Sequence, residues 1–281
     1  MEAKKSTDKA WAVILGASSG FGGAAAVELA KNGYNIFGIH LDRQATMPNV
    51  NAIIKKIEKA GQSAVFFNIN AADPIKREEV IDEIKERFES CKDNCKVKVL
   101  IHSMAFGTLR PYFAKRPEDA VSQASMTMTL DVMAHSLVYW IQGLIYNNLF
   151  AEGGRIFALT SAGSQTVIPS YGAVSAAKAA LEAHIRQIAV ELGFMKITAN
   201  AIMAGVTDTP ASRKIPGVEK MLQAAEQKNP MGKLTVPEEV AKAIVLLCDE
   251  KAGWISGNVI GVDGGEYVVN YIGEKVCKGF K

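Results

Sequence analysis

Residues 11–33 read WAVILGASSGFGGAAAVELAKNG. The apolar run Trp11–Leu15 has the length and bulk of a buried strand, and the alanine-rich segment that closes at Gly33 reads as a helix. Between them Gly16, Gly20 and Gly22 are spaced G-x-x-x-G-x-G, with Ala17, Ser18, Ser19 and Phe21 filling the turn. Strand, glycine turn and helix in that order build an anion site. The glycines let backbone approach a phosphate, and the helix N-terminus offers unpaired N–H groups at the positive end of its dipole. The spacing departs from the G-x-G-x-x-G of other dinucleotide folds.

The same alternation continues outward from this unit. The pattern predicts strand Tyr34–Leu41, helix Asn49–Ala60, strand Ala64–Ile69, helix Pro74–Glu89 and strand Val97–His102. A long helical segment is expected over 118–149, then a strand at Ile156–Leu159, helix Ala173–Leu192, strand Ile197–Met203, helix Pro237–Cys248 and strand Gly257–Val262. Near-continuous apolar strands alternating with amphipathic helices predict an α/β fold, a doubly wound parallel sheet with helices on both faces. No linker or internal repeat divides the chain, so residues 1–281 are expected to form one domain. Polar residues bounded by glycine and proline over 205–233 suggest a substrate lid, and 271–281 suggest a tail.

At 281 residues, 48% hydrophobic and 22% charged, the chain has the balance of a globular protein with a sizeable core. Its net charge of +3 is weak and its cations are interleaved with acids, which argues against a nucleic-acid partner. No apolar run reaches membrane-spanning length and the N-terminus lacks a signal-peptide core, so no membrane and a cytoplasmic location are expected. Cys91 and Cys95 suggest half a metal site that nothing completes, so no metal is expected and the cysteines read as reduced thiols.

Chemistry is concentrated between Arg155 and Leu192. Ser161, Tyr171 and Lys178 are a hydroxyl, a phenol and an ammonium that a fold of this kind can bring together. On a helix beginning near Ser170, Tyr171 and Lys178 differ by only ~20° around the axis and sit ~10.5 Å apart along it. A phenol near a lysine can have its acidity raised and can donate to a substrate oxygen gathering negative charge. The plainer alternative is a helix-start aromatic and a solvated charge.

Taken together, these motifs resemble the short-chain dehydrogenase/reductase family, whose Rossmann-like fold binds a nicotinamide dinucleotide. The resemblance spans roughly residues 10–268. It implies phosphate contacts at Gly16, Ser18, Ser19, Gly20, Phe21 and Gly22, ribose contacts at His40, Asp42 and Arg43, and adenine contacts at Asn70 and Ala71. Ser103, Met104 and Ala105 follow along the cofactor, and Gly205, Val206, Thr207 and Thr209 fall where relatives hold the carboxamide. His40 replaces the usual acid of an NAD site, and Arg43 can clamp a 2′-phosphate, so NADPH is expected with NADH possible. Asp42 can instead bond a 2′-hydroxyl.

Three departures narrow the resemblance. His102–Gly107, HSMAFG, replaces the common Asn-Asn-Ala-Gly and is similar to the corresponding run of enoyl-acyl carrier protein reductases. Val174 stands one turn before Lys178, where ordinary members have tyrosine, and Tyr171 stands two turns before it, as in enoyl reductases. Met133 takes the place of the family's catalytic asparagine. With an ordinary glycine turn, and with LRP at Leu109–Pro111, the combination resembles the third type of bacterial enoyl-acyl carrier protein reductase.

That resemblance implies reduction of a trans-2-enoyl thioester carried on acyl carrier protein or coenzyme A. Tyr171, Lys178 and Ser161 would be catalytic, with Phe106, Gly107, Tyr112 and Met203 at the acyl pocket and fatty acid synthesis as the setting. Two rivals stay open: another short-chain reductase of a conjugated or carbonyl substrate, and a non-catalytic dinucleotide-sensing module. Small and apolar residues over more than one face of 118–149 and 170–192 suggest subunit contacts, and relatives with this pattern are commonly tetramers.

Overall fold

The computed structural model describes residues 10–91 and 93–270, so the expected tail at 271–281 lies outside the described residues. Strands β1 (Ala10–Leu15), β2 (Asn35–His40), β3 (Ala64–Asn68) and β4 (Lys96–His102) alternate with helices α1 (Gly20–Lys31), α2 (Met47–Lys59) and α3 (Pro74–Glu89). Then follow α4 (Gln123–Leu130), α5 (Ser136–Tyr146), β5 (Phe150–Thr160), α6 (Gly172–Glu191), β6 (Thr198–Ala204), α7 (Val218–Lys228), α8 (Pro237–Cys248) and β7 (Val259–Val262). All seven strands are parallel, in the order β3-β2-β1-β4-β5-β6-β7.

Alternating side chains divide the core into two layers. On β1, Trp11, Val13 and Leu15 join the layer that holds Ile84 of α3, Trp140 of α5 and Leu181 of α6. Ala12 and Ile14 turn the other way, against Leu29 of α1, Ile57 of α2 and Ile244 of α8. Strand order reverses between β1 and β4, and a crevice opens at the C-terminal ends of a sheet at that switch.

Most boundaries fall within two residues of the sequence reading, and α3 and α8 match it. The expected continuous helix over 118–149 is corrected. Pro117–Asp119 is a short 3-10 turn, and α4 starts only at Gln123, where Ser122 caps it by accepting from Ser125 N–H at 3.2 Å. A π turn at Asp131–His135 separates α4 from α5. Its hydrogen bonds are disturbed locally: Ser136 Oγ donates back to Val132 O at 2.9 Å. β5 also begins earlier than expected, at Phe150, because the chain turns through Asn148 at φ +54°. The segment 205–233, expected as a substrate lid, holds a 3-10 turn at Ser212–Lys214 and α7.

Trp140 joins this scaffold to the crevice. It is fully buried on α5, and its Nε1–H donates to Ala71 O at 2.8 Å, just beyond β3. Trp140→Phe fills most of the volume but leaves that buried carbonyl unpaired. Urea unfolding should show a loss of ~1–3 kcal/mol; an unchanged midpoint and slope would contradict this role.

Candidate active site

The glycine turn leaves the end of β1 and is pinned to its neighbours: Gly16 N–H and Ala17 N–H both donate to Ile39 O, at 2.8 and 3.1 Å. Gly16 has φ +88°, and a Cβ there would meet Ser103 O at 2.5 Å. A Cβ on Gly22 would sit 2.1 Å from Gly16 O. Backbone therefore packs on backbone from β1, α1 and the β4 loop, which only glycine permits. Ser19 precedes α1 without a side-chain cap, so first-turn N–H groups remain available to an anion. This cradle fits the pyrophosphate of a dinucleotide.

At the β2 end, His40 is buried and its Nδ1 lies 3.0 Å from Asp42 Oδ2. Burial opposes ionisation of Asp42, but hydrogen bonds from Thr46, Ser18 and His40 outweigh it and hold the carboxyl below its ordinary range. Asn68 fixes the Asp42 backbone through both its N–H and its carbonyl. Among the described residues the Arg43 side chain makes no hydrogen bond or ion pair, and it lines the same cleft.

The opposite wall carries the phenol and the ammonium. Tyr171 immediately precedes α6, and Ser170 before it adopts a left-handed φ of +62°, which a non-glycine residue holds at some strain. Lys178 is buried; its Nζ donates to Leu159 O at 2.6 Å and to Met104 O at 3.3 Å. Burial pushes this ammonium down to about 8, while the Glu182 carboxylate pulls the other way. Glu182 is itself buried and accepts from Thr160 Oγ at 2.6 Å. The expectation that the lysine raises the acidity of the phenol is corrected: burial raises the Tyr171 pKa, and a hydrogen bond from Ser161 only partly offsets it. Tyr171 is therefore a proton-bearing donor rather than a phenolate. Ser161 Oγ also accepts from Gly163 N–H at 3.1 Å, under the tyrosine ring.

Apolar groups floor the cleft. A Cβ on Gly107 would meet Met133 Sδ and Val174 Cγ2, both at 2.8 Å, so these three residues pack directly. Behind them His102 is fully buried, and burial with the Lys178 charge lowers its pKa to about 3. Ser136 donates to Val132 O, so the neutral His102 donates from Nε2 to Ser136 Oγ, 2.9 Å away.

The cleft has a volume of about 1730 Å³. It gathers Ser161, Tyr171 and Lys178 with every other residue assigned from the sequence to cofactor or substrate except two. Gly22 is buried behind the turn, where it lets α1 approach β1. Tyr112 packs its ring on Gly172, outside the cleft wall, because a Cβ on Gly172 would lie 2.6 Å from Tyr112 Cζ. Sequence reasoning missed Ile168, Ile215, Met221 and Glu266 in the lining. Glu266 accepts from Val206 N–H at 3.1 Å and so holds the loop after β6. Its place directly after residues 262–265, which read VDGG, was the available signal. Among the described residues no group of three metal-ligating side chains occurs, and no helix is long and apolar enough to cross a membrane.

Comparison with known proteins agrees with this geometry. Residues 16–266 match the family described as Enoyl-(Acyl carrier protein) reductase. An enoyl-[acyl-carrier-protein] reductase [NADH] of Nostoc sp. is 32% identical, over 66% of this chain and 70% of its own. An NADPH-dependent aldehyde reductase-like protein of Arabidopsis thaliana is 26% identical, over 90% and 93%. The fold matches that of the Bacillus cereus enoyl-acyl carrier protein reductase solved with NADP+ and an indole naphthyridinone, with a TM-score of 0.81 at 23% identity, covering 94% of this chain and 98% of that one. The chain belongs to the enoyl-acyl carrier protein reductase family of short-chain dehydrogenases/reductases and is an oxidoreductase.

Proposed function

We propose that this enzyme reduces the trans-2 double bond of an enoyl thioester. The observation that carries this reading is the catalytic wall: Tyr171 stands two turns before Lys178, while Val174, one turn before it, packs on Met133 and Gly107. The residue one turn before Lys178 thus offers no proton donor, and the phenol stands one turn further from it along the chain. When bound, the reduced nicotinamide dinucleotide supplies the hydride that the substrate β-carbon accepts. As charge collects on the thioester oxygen, Tyr171 O–H donates to it, with Ser161 orienting the phenol. The α-carbon then takes a proton from solvent, completing addition of two hydrogens across the double bond. Two of the three Lys178 N–H groups go to Leu159 O and Met104 O, which leaves one for a ribose hydroxyl. Acyl carrier protein is the favoured carrier because it is the one named in the family description.

Gly16–Phe21 would hold the pyrophosphate, Asn70 and Ala71 the adenine, and Gly205–Thr209 the carboxamide end. NADPH is the favoured donor, with NADH accepted. Arg43 is free to take a 2′-phosphate, whereas the Asp42 carboxylate is occupied by His40. The preference is modest because that carboxylate stays nearby as an anion.

Three measurements test these assignments. With crotonyl and longer enoyl thioesters, Tyr171→Phe should lower kcat by ~10²–10³ with little change in cofactor binding, and Ser161→Ala should lower it less. Near-full activity of Tyr171→Phe, or faster turnover of β-ketoacyl thioesters, would refute the reaction. Arg43→Ala should raise KM for NADPH more than for NADH; equal effects would remove the clamp. Finally, kcat/KM should fall as pH rises through about 8, where Lys178 loses its charge. Glu182→Gln keeps the bond to Thr160 but removes the countercharge, so the alkaline limb should move to lower pH. A limb that stays in place would mean Lys178 does not set it.

A further inference from the structure

We propose that Cys91 and Cys95 are a redox modification site, closing to a reversible disulfide at the end of the sheet opposite the cleft. Cys91 follows the last turn of α3, where its N–H donates to Phe88 O at 3.2 Å, and Cys95 immediately precedes β4. Their Sγ atoms lie 2.7 Å apart. That is well inside the contact distance of two unbonded sulfurs, so α3 and β4 hold the pair where a disulfide can close.

Both ends of the connection are anchored. Val80, Ile81 and Ile84 of α3 are buried in the core layer that also contains Cys95, and β4 is paired on one side with β1 and on the other with β5. The two thiols are therefore held face to face by the scaffold, unlike cysteines in an unanchored loop. Cys95 is 6% exposed, Cys91 is half-buried, and a cavity of about 230 Å³ opens beside Cys95 between Lys85, Lys96 and Asn148. That space admits a small oxidant. Cys248 lies apart on α8, packed on the opposite core layer, and burial pushes its thiol up to about 12.

With hydrogen peroxide as the two-electron oxidant, one thiolate attacks a peroxide oxygen, breaking the O–O bond and giving a sulfenic acid and water. The second sulfur attacks the sulfenic sulfur, forming the S–S bond and releasing a second water. Each sulfur loses one electron overall, the peroxide is reduced, and both thiol protons leave in water. A dithiol reductant reverses the step by exchange.

The full chain is treated with equimolar hydrogen peroxide, alkylated and digested with trypsin. Lys92 lies between the two cysteines, with Arg87 and Lys96 outside them, so the disulfide holds fragments 88–92 and 93–96 together. The joined species should weigh about 2 Da less than the two reduced fragments combined, and dithiothreitol should separate it. Oxidation should raise the unfolding midpoint by ~5 °C and leave turnover unchanged. In Cys91→Ser both the joined species and the rise in midpoint should vanish. Recovery of both cysteines alkylated, their conversion to sulfinic acid, or a bond from either to Cys248 or Cys277 would overturn the proposal.

Discussion

A buried ammonium organises the working half of this molecule. Removing a lysine charge from water costs several kcal/mol unless its hydrogens and charge are answered. Lys178 is answered on three sides: by Leu159 O at the end of β5, by Met104 O beyond β4, and by the buried carboxylate of Glu182 one turn on. Glu182 is in turn held by Thr160. These partners come from β5, the loop after β4 and α6 itself. The ammonium thus fixes the height of α6 against the sheet, and the placement of Tyr171 at the head of that helix follows from it.

Close backbone approach imposes the second constraint. Gly16 and Gly22 bring β1, α1 and the Ser103 loop into contact distances that no Cβ would allow. The same loop then runs through Met104, whose carbonyl meets Lys178, to Gly107, which rests on Met133 and Val174. Five residues, 103–107, therefore link a cradle suited to phosphates with an apolar floor. On such a floor a single hydroxyl donor acts in a low dielectric, where its bond to a developing charge is stronger than in water.

Much of this was legible in the sequence. Glycine spacing after an apolar strand, alternating βα units and the Tyr171–Lys178 interval are local patterns, and each follows from strand or helix geometry alone. They yielded the parallel sheet and the bounds of α3 and α8, and the family resemblance they supported named site residues of which all but Gly22 and Tyr112 line the cleft. Local pattern failed where partners are distant. The π turn at Asp131–His135 interrupts a segment of unbroken helical character; the buried His102, more than twenty residues upstream, hydrogen-bonds to Ser136 just after it. The resemblance put Tyr112 at the acyl pocket, yet its ring packs on Gly172.

What the sequence by itself determined was the set of elements and the chemical groups they carry, since periodicity and glycine placement depend on residues close in the chain. What only the tertiary structure decided was the state of those groups. Burial, set by packing between distant elements, keeps the proton on Tyr171, lowers the pKa of Lys178 and leaves His102 neutral. Desolvation depends on everything that surrounds a side chain, and that enclosure exists only once the sheet and its helices have closed over it.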